Sequence, residues 1–349
     1  MIHNLALQHF RCFPDLDLSF SPGINLVHGL NGSGKTSILE AIYLAGRARS
    51  FRTNYLSDLI HRNEDNAIVF LKGQQSEQNF QIGCQVLPSS LTVKLNNERL
   101  KSRVSLLDFL PLQIITPVSH QLVDSGPSNR RKFIDWGLFH VEQSYRTYWS
   151  QFRRVLKQRN QVLKNKGKDL ASWDEQFVES SNHLRFFQER YFEELSSYFV
   201  ELQKKLLGQQ LANIDFYIGW NKKIGLKDEL QKSKHNDLSR GFTHHGPHKA
   251  DIKFQFLESK RNVLSRGQQK MLVFSLQLSQ CLHLFEKTGL SPIVLIDDIS
   301  SELDNNFLNR LVTTIKDLKL QSIISAIDEK SINSQLVSNM FHVEHHQDN

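Results

Sequence analysis

Residues 29 to 36 have the spacing of a phosphate-binding loop, Gly-x-x-x-x-Gly-Lys-Thr. Glycines let successive backbone N–H groups turn towards an anion, because no Cβ intervenes. Lys35 supplies a mobile positive charge for the β- and γ-phosphates, and the hydroxyl of Thr36 is a ligand for Mg²⁺. We therefore predict that the chain binds a nucleoside triphosphate with Mg²⁺. The residues predicted to form this site are Gly29, Leu30, Asn31, Gly32, Ser33, Gly34, Lys35 and Thr36.

Two aspartates follow an apolar run at residues 293 to 296. A buried strand there places Asp297 at its carboxyl end, where α/β folds bind ligands. Asp297 is then a second holder of Mg²⁺, and Asp298 is placed to orient or deprotonate the attacking water. An apolar run followed by two aspartates also occurs by chance, and the phosphate loop upstream favours the functional interpretation.

A third group of polar residues opens a predicted helix at Leu264-Ser-Arg-Gly-Gln268. Ser265 offers a hydroxyl, while Gly267 and Gln268 lie in the first turn, where backbone N–H groups are exposed. The positive end of the helix dipole and these donors suit a γ-phosphate. Ser265 is therefore a candidate catalytic residue, and all three are candidates for nucleotide binding.

The elements around the loop are predicted from hydrophobic periodicity. Residues 24 to 27 form a buried strand before the loop, and an amphipathic helix follows Gly34. Residues 2 to 20 alternate as two paired strands with Arg11 in the bend. Three short strands follow, separated by turn formers, and predict an antiparallel meander at 67–72, 80–86 and 91–95.

The second half of the chain changes period. From about Pro127 apolar residues recur at spacings of three and four, which predicts two long helices packed as a hairpin. The polar, lysine-rich residues 208 to 241 have the composition of a flexible return to the first domain. Further strands are expected at 251–256 and 322–326.

Composition limits the class of protein. The chain has 349 residues, and 39% are hydrophobic, which is enough for a sizeable core. It contains no apolar run long enough to cross a membrane and no signal-peptide pattern at the start. Three isolated cysteines fit a reducing cytosol, so we expect a cytoplasmic protein. The net charge of +7 and the pI near 9.2 favour an anionic partner larger than the nucleotide.

The three motifs together resemble the ABC-type ATPase head that transporters share with the structural-maintenance-of-chromosomes class. Several stretches more narrowly resemble the RecF family of bacterial DNA replication and repair proteins. They are Phe10-Arg11, residues 31 to 43, Arg49-Ser-Phe-Arg52, Ile115-Thr-Pro117, residues 126 to 135, residues 156 to 160 and residues 245 to 251. The resemblance runs from about residue 3 to residue 328.

The resemblance implies an α/β fold, an ABC-type P-loop ATPase head with a mixed sheet, flanking helices and an antiparallel β-meander. It also implies an inserted α-helical domain. We expect the head at residues 1–118 and 242–349 and the insertion at 119–241. The implied activity is ATP binding with slow, DNA-stimulated hydrolysis and ATP-dependent head-to-head dimerisation. The implied partners are duplex DNA near single-strand/double-strand junctions and the recombination mediator RecR, in recombinational repair and the SOS response.

Several residue roles rest on the resemblance alone. Arg11 is expected to bind the nucleotide, and Gln113 to serve as the glutamine that senses Mg²⁺. Asp328 follows the last strand, where transporters use a switch histidine. Two departures from transporters stand out: Arg266 replaces a signature glycine, and Asp298 replaces the catalytic glutamate. The shorter reach of Asp298 argues against fast turnover.

Two other functions remain open from the sequence: the nucleotide-binding subunit of a membrane transporter, and a nucleotide-binding scaffold that never hydrolyses. The helical insertion and the basic pI argue against the transporter subunit. Candidate DNA contacts are Arg130, Arg131, Arg153 and Arg154. The cluster of His244, His245 and His248 fits a turn better than a metal site, because Gly-Pro interrupts it.

Overall fold

The computed structural model describes residues 1–75, 77–100, 102, 105–166, 169–257, 264–299 and 303–344. Its strands are β1 (Ile2–Phe10), β2 (Phe13–Ser19), β3 (Ile24–His28), β4 (Ala67–Gln75), β5 (Gln78–Leu87), β6 (Ser90–Leu95), β7 (Glu98–Arg99), β8 (Leu112–Ile115), β9 (Ala212–Tyr217), β10 (Asp251–Phe256), β11 (Ile293–Ile296), β12 (Ser322–Ala326) and β13 (Asn339–His342). Its helices are α1 (Lys35–Arg47), α2 (Ser105–Phe109), α3 (Gln121–Asp124), α4 (Pro127–Val141), α5 (Gln143–Lys164), α6 (Leu170–Leu207), α7 (Leu226–Arg240), α8 (Arg266–Thr288) and α9 (Asn305–Asp317).

The chain divides into two compact units. The first contains residues 1–119, 205–207 and 284–349, and the second contains residues 120–204 and 208–283. Residues 242 to 283 thus group with the helices, whereas the sequence-based division assigns them to the ATPase head. The expected domain bounds themselves stay a prediction.

A five-stranded parallel sheet in the first unit positions the phosphate loop. Its order is β13-β3-β12-β11-β8, and every neighbouring pair is parallel. The strands β3 and β11 are short and buried along their apolar residues, as expected where both faces of a sheet are covered. Because carboxyl ends of parallel strands meet at one edge, the loop after β3 and the aspartates after β11 face the same region.

A six-stranded antiparallel sheet completes the first unit. Its order is β2-β1-β4-β5-β6-β7, so the predicted strand pair and the predicted meander are both confirmed and lie in one sheet. The bend between β1 and β2 holds Arg11 at a φ of +55°. Alternate residues of β4 and β5 are buried, which is the period-two pattern read from the sequence.

Helix α1 packs against both sheets of this unit. It contacts β1, β4 and β5 of the antiparallel sheet and β8 and β12 of the parallel sheet. Ile38 and Ile42 are fully buried, and every residue from 37 to 46 is buried. A helix buried on all sides has little freedom to shift, so the loop at its N-terminus is held by the core.

The second unit contains α3, α4, α5 and α7 and most of α6 and α8. The predicted hairpin is confirmed: α5 and α6 pack through aromatic contacts, with the rings of Phe152 and Phe177 5.5 Å apart. Nearer the other end, Gln188 of α6 donates to the hydroxyl of Tyr145 at 3.1 Å. Helix α4 contacts both α5 and β10.

The prediction of a flexible return over residues 208 to 241 is wrong. Strand β9 pairs with β10, and α7 begins after Gly225 and ends before Gly241. Asp237 of α7 is fully buried and receives a hydrogen bond of 2.9 Å from Arg159 of α5. An ion pair anchors this helix, and its only buried apolar side chains are Leu226 and Leu230. Hydrophobic periodicity therefore did not predict α7.

Among the described residues no helix is long and apolar enough to span a membrane.

Candidate nucleotide site

The phosphate loop joins β3 to α1, and its glycines are sterically required. Gly34 has a φ of +106°, and a Cβ there would lie 2.6 Å from Sγ of Cys12 and 2.5 Å from Phe13. A Cβ on Gly29 would lie 2.3 Å from the carbonyl oxygen of Val343, which follows β13. Both distances are shorter than real Cβ contacts, so neighbouring strands force glycine at both ends of the loop.

Lys35 lies at the first position of α1, with its side chain folded back over the loop. Its Nζ donates to the carbonyl oxygens of Gly29 at 2.6 Å and Leu30 at 2.7 Å. Burial lowers the pKa of Lys35, while the carboxylates of Asp298 and Asp297 act in the opposite direction. The ammonium group therefore sits among loop carbonyls with two carboxylates near enough to affect its titration.

The predicted Mg²⁺ ligands are adjacent. The hydroxyl of Thr36 donates to Oδ1 of Asp297 at 2.9 Å, and the hydroxyl of Ser325 donates to the same oxygen at 2.8 Å. Ser325 belongs to β12, so three neighbouring strands and the loop converge on this carboxylate. Hydroxyl and carboxylate oxygens are the ligands that Mg²⁺ prefers, and the donor set fits that ion.

Asp298 is held in an unusual backbone conformation next to this group. Its φ is +51°, which is uncommon for a residue with a side chain, and its N–H donates to the hydroxyl of Ser325 at 2.7 Å. Such conformations persist where the surroundings determine them, and they cluster at functional sites. Ser325 therefore fixes both aspartates, a role that sequence reasoning missed.

These residues line a cavity of about 660 Å³, which we call the nucleotide cavity. Predicted residues on its wall are Arg11, Asn31, Gly32, Gly34, Lys35, Thr36, Asp297 and Asp298. Residues on the wall that were not predicted as site residues are Cys12, Ser37, Arg52, Asp58, Ile60, Arg62, Pro117 and Ser325. Of the remaining loop residues, Ser33 is buried and Leu30 is 70% exposed.

Two predicted residues do not line the nucleotide cavity. Gln113 is buried within β8 and pairs with Val294 of β11, which lies three residues before Asp297. Its side chain does not line the nucleotide cavity. Asp328 caps a short turn by accepting from the N–H of Lys330. The roles of Gln113 and Asp328 therefore stay predictions.

The signature residues belong to the second unit, at the start of α8. The hydroxyl of Ser265 accepts from the N–H of Gln268 at 3.2 Å, and the amide oxygen of Gln268 accepts from the N–H of Ser265 at 3.0 Å. This reciprocal pair is a capping box, which satisfies two N–H groups at a helix start. Ser265 is exposed, so the capped helix end with Gly267 faces solvent in the described chain.

The structure corrects one candidate DNA contact. Arg130 is only 8% exposed, and its guanidinium makes two hydrogen bonds to Asp251 at 2.6 and 3.1 Å. A third nitrogen bonds to the carbonyl oxygen of Leu122 at 3.3 Å. Arg130 is therefore an internal ion pair between α4 and β10 and cannot reach a DNA backbone.

The other candidates are more accessible. Arg153 and Arg154 are exposed on α5, and Arg131 is partly exposed on α4. The three histidines of the turn are used locally: His244 bonds to Asp237 at 2.6 Å, His248 to the carbonyl oxygen of Thr243 at 2.9 Å, and His245 lies 3.6 Å from Glu229.

The parallel sheet, the phosphate loop and the adjacent aspartates define an ABC-type ATPase head of the structural-maintenance-of-chromosomes kind. A family model described as the RecF/RecN/SMC N-terminal domain matches residues 1–349. Solved SMC heads share this fold, for example the Smc head bound to the C-terminal winged-helix domain of ScpA, with a TM-score of 0.61 and 18% identity over 98% of this chain and 94% of that chain.

Relatives with higher sequence identity indicate which branch of this class the chain belongs to. The DNA replication and repair protein RecF of Shewanella woodyi is 37% identical over 347 residues, which is 97% of this chain and 95% of that protein. The protein of the same name from Shewanella oneidensis is 38% identical over 352 residues, 98% of this chain and 97% of that protein. A solved structure of the recombination mediator protein RecF-ATPrS in the RecFOR pathway has a TM-score of 0.82 and 27% identity, covering 99% of this chain and 96% of that one. The chain belongs to the RecF family.

Proposed function

We propose that this chain is an ATP-binding DNA replication and repair protein, in which the bound nucleotide controls dimerisation and the hold on DNA. The observation that carries the proposal is the 2.9 Å hydrogen bond between Thr36 and Asp297 at the phosphate loop. It joins the two motifs of a Mg²⁺–ATP site across a long stretch of sequence. The curated relatives carry the name of a DNA replication and repair protein, and one solved relative is described as RecF-ATP.

The nucleotide cavity supplies the groups that phosphate binding needs. The loop N–H groups and the start of α1 face the phosphates, and Lys35 moves from the loop carbonyls to the β- and γ-phosphates. Thr36 and Asp297 would hold Mg²⁺, which would supply positive charge to the phosphates. Asp298 orients the attacking water. Its side chain is shorter than glutamate, which fits a slow ATPase that works as a switch.

A second copy of the chain completes the site in this proposal. Ser265 lies exposed at the start of α8, and neither Ser265 nor Gly267 nor Gln268 lines the nucleotide cavity. In ABC-type heads the signature of one subunit meets the nucleotide of the other. ATP then joins the two subunits, and ADP, which lacks the γ-phosphate, releases them.

The partner of the dimer is DNA. A net charge of +7 favours a polyanion, and Arg131, Arg153 and Arg154 are accessible for phosphate contacts. The family points to gapped DNA near single-strand/double-strand junctions, to RecR as a protein partner, and to recombinational repair and the SOS response. Such a protein acts in the cytoplasm, where bacterial DNA lies.

The test compares molecular mass in solution with ATP and with ADP, each with and without duplex DNA. We expect monomers with ADP and dimers with ATP, and DNA bound chiefly in the ATP state. Lys35→Ala should remain monomeric with ATP, because the loop loses its mobile charge on the phosphates. Lys35→Arg is the matched control: it keeps the charge and should still bind ATP, but should hydrolyse it poorly. Equal dimerisation and hydrolysis by Lys35→Ala and the unmodified protein would refute the proposal.

A further inference from the structure

The second unit contains a cavity of about 330 Å³ that the ATPase site does not use. We call it the helical-unit cavity. Three helices and the turn before β10 form it: α4 contributes Arg131 and Asp135, α5 contributes Trp149 and Arg153, and α6 contributes Gln188. Its volume lies at the lower end of the range for small-molecule sites, which begins at about 300 Å³.

The mouth of the helical-unit cavity is positively charged. Arg131, Lys132 and Arg153 line it, and Lys132 and Arg153 are exposed. Arg131 is oriented by a 3.1 Å hydrogen bond from Nη1 to the carbonyl oxygen of Ala250. The guanidinium of Arg153 lies over the ring of Trp149, 5.1 Å from its centroid. The carboxylate of Asp135 also lines the cavity and offsets one of these charges, so the three cations leave a net positive charge that favours a ligand with a phosphate group.

The inner wall presents buried hydrogen-bond acceptors. Gln188 is 5% exposed, and its Nε2 donates to Tyr145, while its buried Oε1 has no partner in the described structure. Buried polar atoms are nearly always paired, so an unpaired acceptor on a residue that lines a cavity calls for an explanation.

His248 adds a second acceptor of the same kind. Its Nε2 lies 2.9 Å from the carbonyl oxygen of Thr243, which can only accept, so Nε2 carries the proton. Burial lowers the pKa of His248 to about 4, so the ring is neutral at pH 7 and Nδ1 is an acceptor. This Nδ1 is buried and has no partner in the described part of the chain. A ligand that reaches the inner wall must therefore bring N–H donors.

A nucleotide with an amino-bearing base combines these properties. Its phosphate is anionic, its base is flat enough to lie beside the Trp149 ring, and the exocyclic amino group of adenine, cytosine or guanine donates two hydrogen bonds. Thymine has no amino group: its one ring donor, N3–H, lies between two carbonyl oxygens, which would face the acceptors of the inner wall.

We propose that the helical-unit cavity takes one unpaired nucleotide of a DNA strand, with its phosphate at Arg131, Lys132 and Arg153 and its base amino group at Gln188 and His248. This inference rests on the proposed function, since it assumes that the ATP-bound protein binds DNA. It gives the preference for single-strand/double-strand junctions a physical basis, because only there does an unpaired base lie beside a duplex.

The experiment measures the affinity of the ATP-bound protein for a labelled duplex with a one-nucleotide overhang. The overhang is dA, dC, dT or an abasic residue, and the blunt duplex is measured at the same salt concentration. We expect dA and dC to bind about fivefold or more tightly than dT and the abasic residue, as one stacked and hydrogen-bonded base allows.

Three variants locate the effect. Gln188→Leu removes the unpaired acceptor and replaces it with an apolar side chain of similar size. This variant should lose the base preference, while its unfolding midpoint should stay the same or rise. Arg153→Gln removes one cation of the mouth, and Arg154→Gln removes one from the neighbouring position of α5, which does not line the cavity. Both should weaken general DNA binding similarly, but only Arg153→Gln should reduce the base preference.

The outcomes separate the two proposals. If neither the blunt nor the overhang duplex binds with ATP, the proposed function fails. If the duplex binds but the overhang base has no effect, the cavity assignment alone is overturned, as it would be if the cavity served an acidic peptide. Free dCMP distinguishes the source of the nucleotide: we expect it to compete only at millimolar concentration, and competition at micromolar concentration would overturn the assignment to a DNA strand.

Discussion

Arg11 and Glu40 form a bidentate ion pair, with Nε and Nη2 of the guanidinium each 2.8 Å from a carboxylate oxygen. Glu40 is fully buried in α1, and it also accepts hydrogen bonds from the hydroxyl of Ser50 and from Arg52. Arg11 and Arg52 both line the nucleotide cavity. One carboxylate beneath the cavity therefore fixes two cations of its wall, which come from the β1–β2 bend and from the segment after α1.

Replacing Glu40 should loosen this wall. Glu40→Gln keeps the size of the side chain but leaves two guanidinium groups facing a neutral amide, which should reduce the free energy of unfolding by about 2–3 kcal/mol. ATP affinity should fall as well, because Arg11 and Arg52 lose their orientation. Urea unfolding and ATP titration measure the two effects. Glu98→Gln, on the exposed strand β7, is the control and should change neither; equal behaviour of both variants would show that the pair has no such role.

The sequence predicted the parts of the site that lie close together along the chain. The phosphate loop and the two aspartates are local patterns, and Lys35, Thr36, Asp297 and Asp298 all line one cavity, while their roles there stay predictions. Glu40 was missed, although its signal was present: it is the one carboxylate within the apolar run of residues 38 to 45. A charged side chain in a buried helix needs an oppositely charged partner, and the partner of Glu40, Arg11, is distant in sequence.

Predictions from hydrophobic patterns also failed for segments that are held in place by buried charged residues or that are very short. Helix α7 is anchored by Asp237, so its sequence looks like a solvated linker. Arg130 was taken for a surface cation because its partner Asp251 is remote in sequence. Strand β13 was not predicted, because a four-residue strand with alternate residues exposed carries almost no pattern.

The carboxylate of Asp297 should be needed for the metal and not for the fold. Asp297→Asn retains an oxygen that accepts from Thr36 and Ser325, but it removes the negative charge that attracts Mg²⁺. We expect the unmodified protein to bind ATP more tightly with Mg²⁺ than with EDTA, and we expect this difference to shrink about tenfold or more in the variant. Asp328→Asn removes an exposed carboxylate that does not line the cavity and should leave the Mg²⁺ effect intact. If both variants retain the tighter binding of ATP with Mg²⁺ than with EDTA, Asp297 is not a metal ligand.

Cys12 should report on nucleotide binding. It lines the nucleotide cavity and is partly accessible, whereas Cys84 and Cys281 are buried. Burial raises the pKa of the Cys12 thiol, so alkylation by a small maleimide should be slow at pH 7 and faster as pH rises. ATP should slow it further by filling the cavity. Mass spectrometry of peptides measures the rate, and Lys35→Ala should lose the protection by ATP. Protection that persists in Lys35→Ala would place Cys12 outside the ATP site.

Two groups of the helical-unit cavity should affect stability in opposite directions between about pH 4 and pH 6. Burial raises the pKa of Asp135 from 3.8 to about 6, so the folded state binds its proton more tightly, and this contribution to stability is lost as pH rises to 6. Burial lowers the pKa of His248 from 6.5 to about 4, so its contribution is present above pH 6.5 and is lost as pH falls to 4. Each contribution is on the order of 3 kcal/mol.

Replacing His248 should make the effect of Asp135 on the pH dependence of stability visible. His248→Gln keeps an amide donor for the carbonyl oxygen of Thr243 and removes the titration of the histidine. The free energy of unfolding of this variant should fall as pH rises from 4 to 6, while the unmodified protein changes much less over the same range. His235→Gln, on the solvent side of α7, is the control and should follow the unmodified protein. A variant whose stability rises with pH would contradict the assignment of Asp135.

The last prediction concerns the site shared between two subunits. If Ser265 of one subunit meets the γ-phosphate bound by Lys35 of the other, then two inactive variants should complement each other when mixed. The first is Lys35→Ala. The second is Ser265→Asp, because aspartate still accepts the capping hydrogen bond from Gln268 and should preserve α8, but its charge repels the γ-phosphate.

A mixed dimer contains one site with both defects and one site with neither. The intact site should restore up to about half of the ATP hydrolysis per dimer, and the maximum should occur near equal amounts of the two variants. Ser265→Asn supplies the control, since it caps the helix without a negative charge and should retain more activity alone than Ser265→Asp. If each chain completed its own site, every site in the mixture would carry a defect. Mixtures that remain inactive although mixed dimers are detected by mass would therefore exclude the shared site.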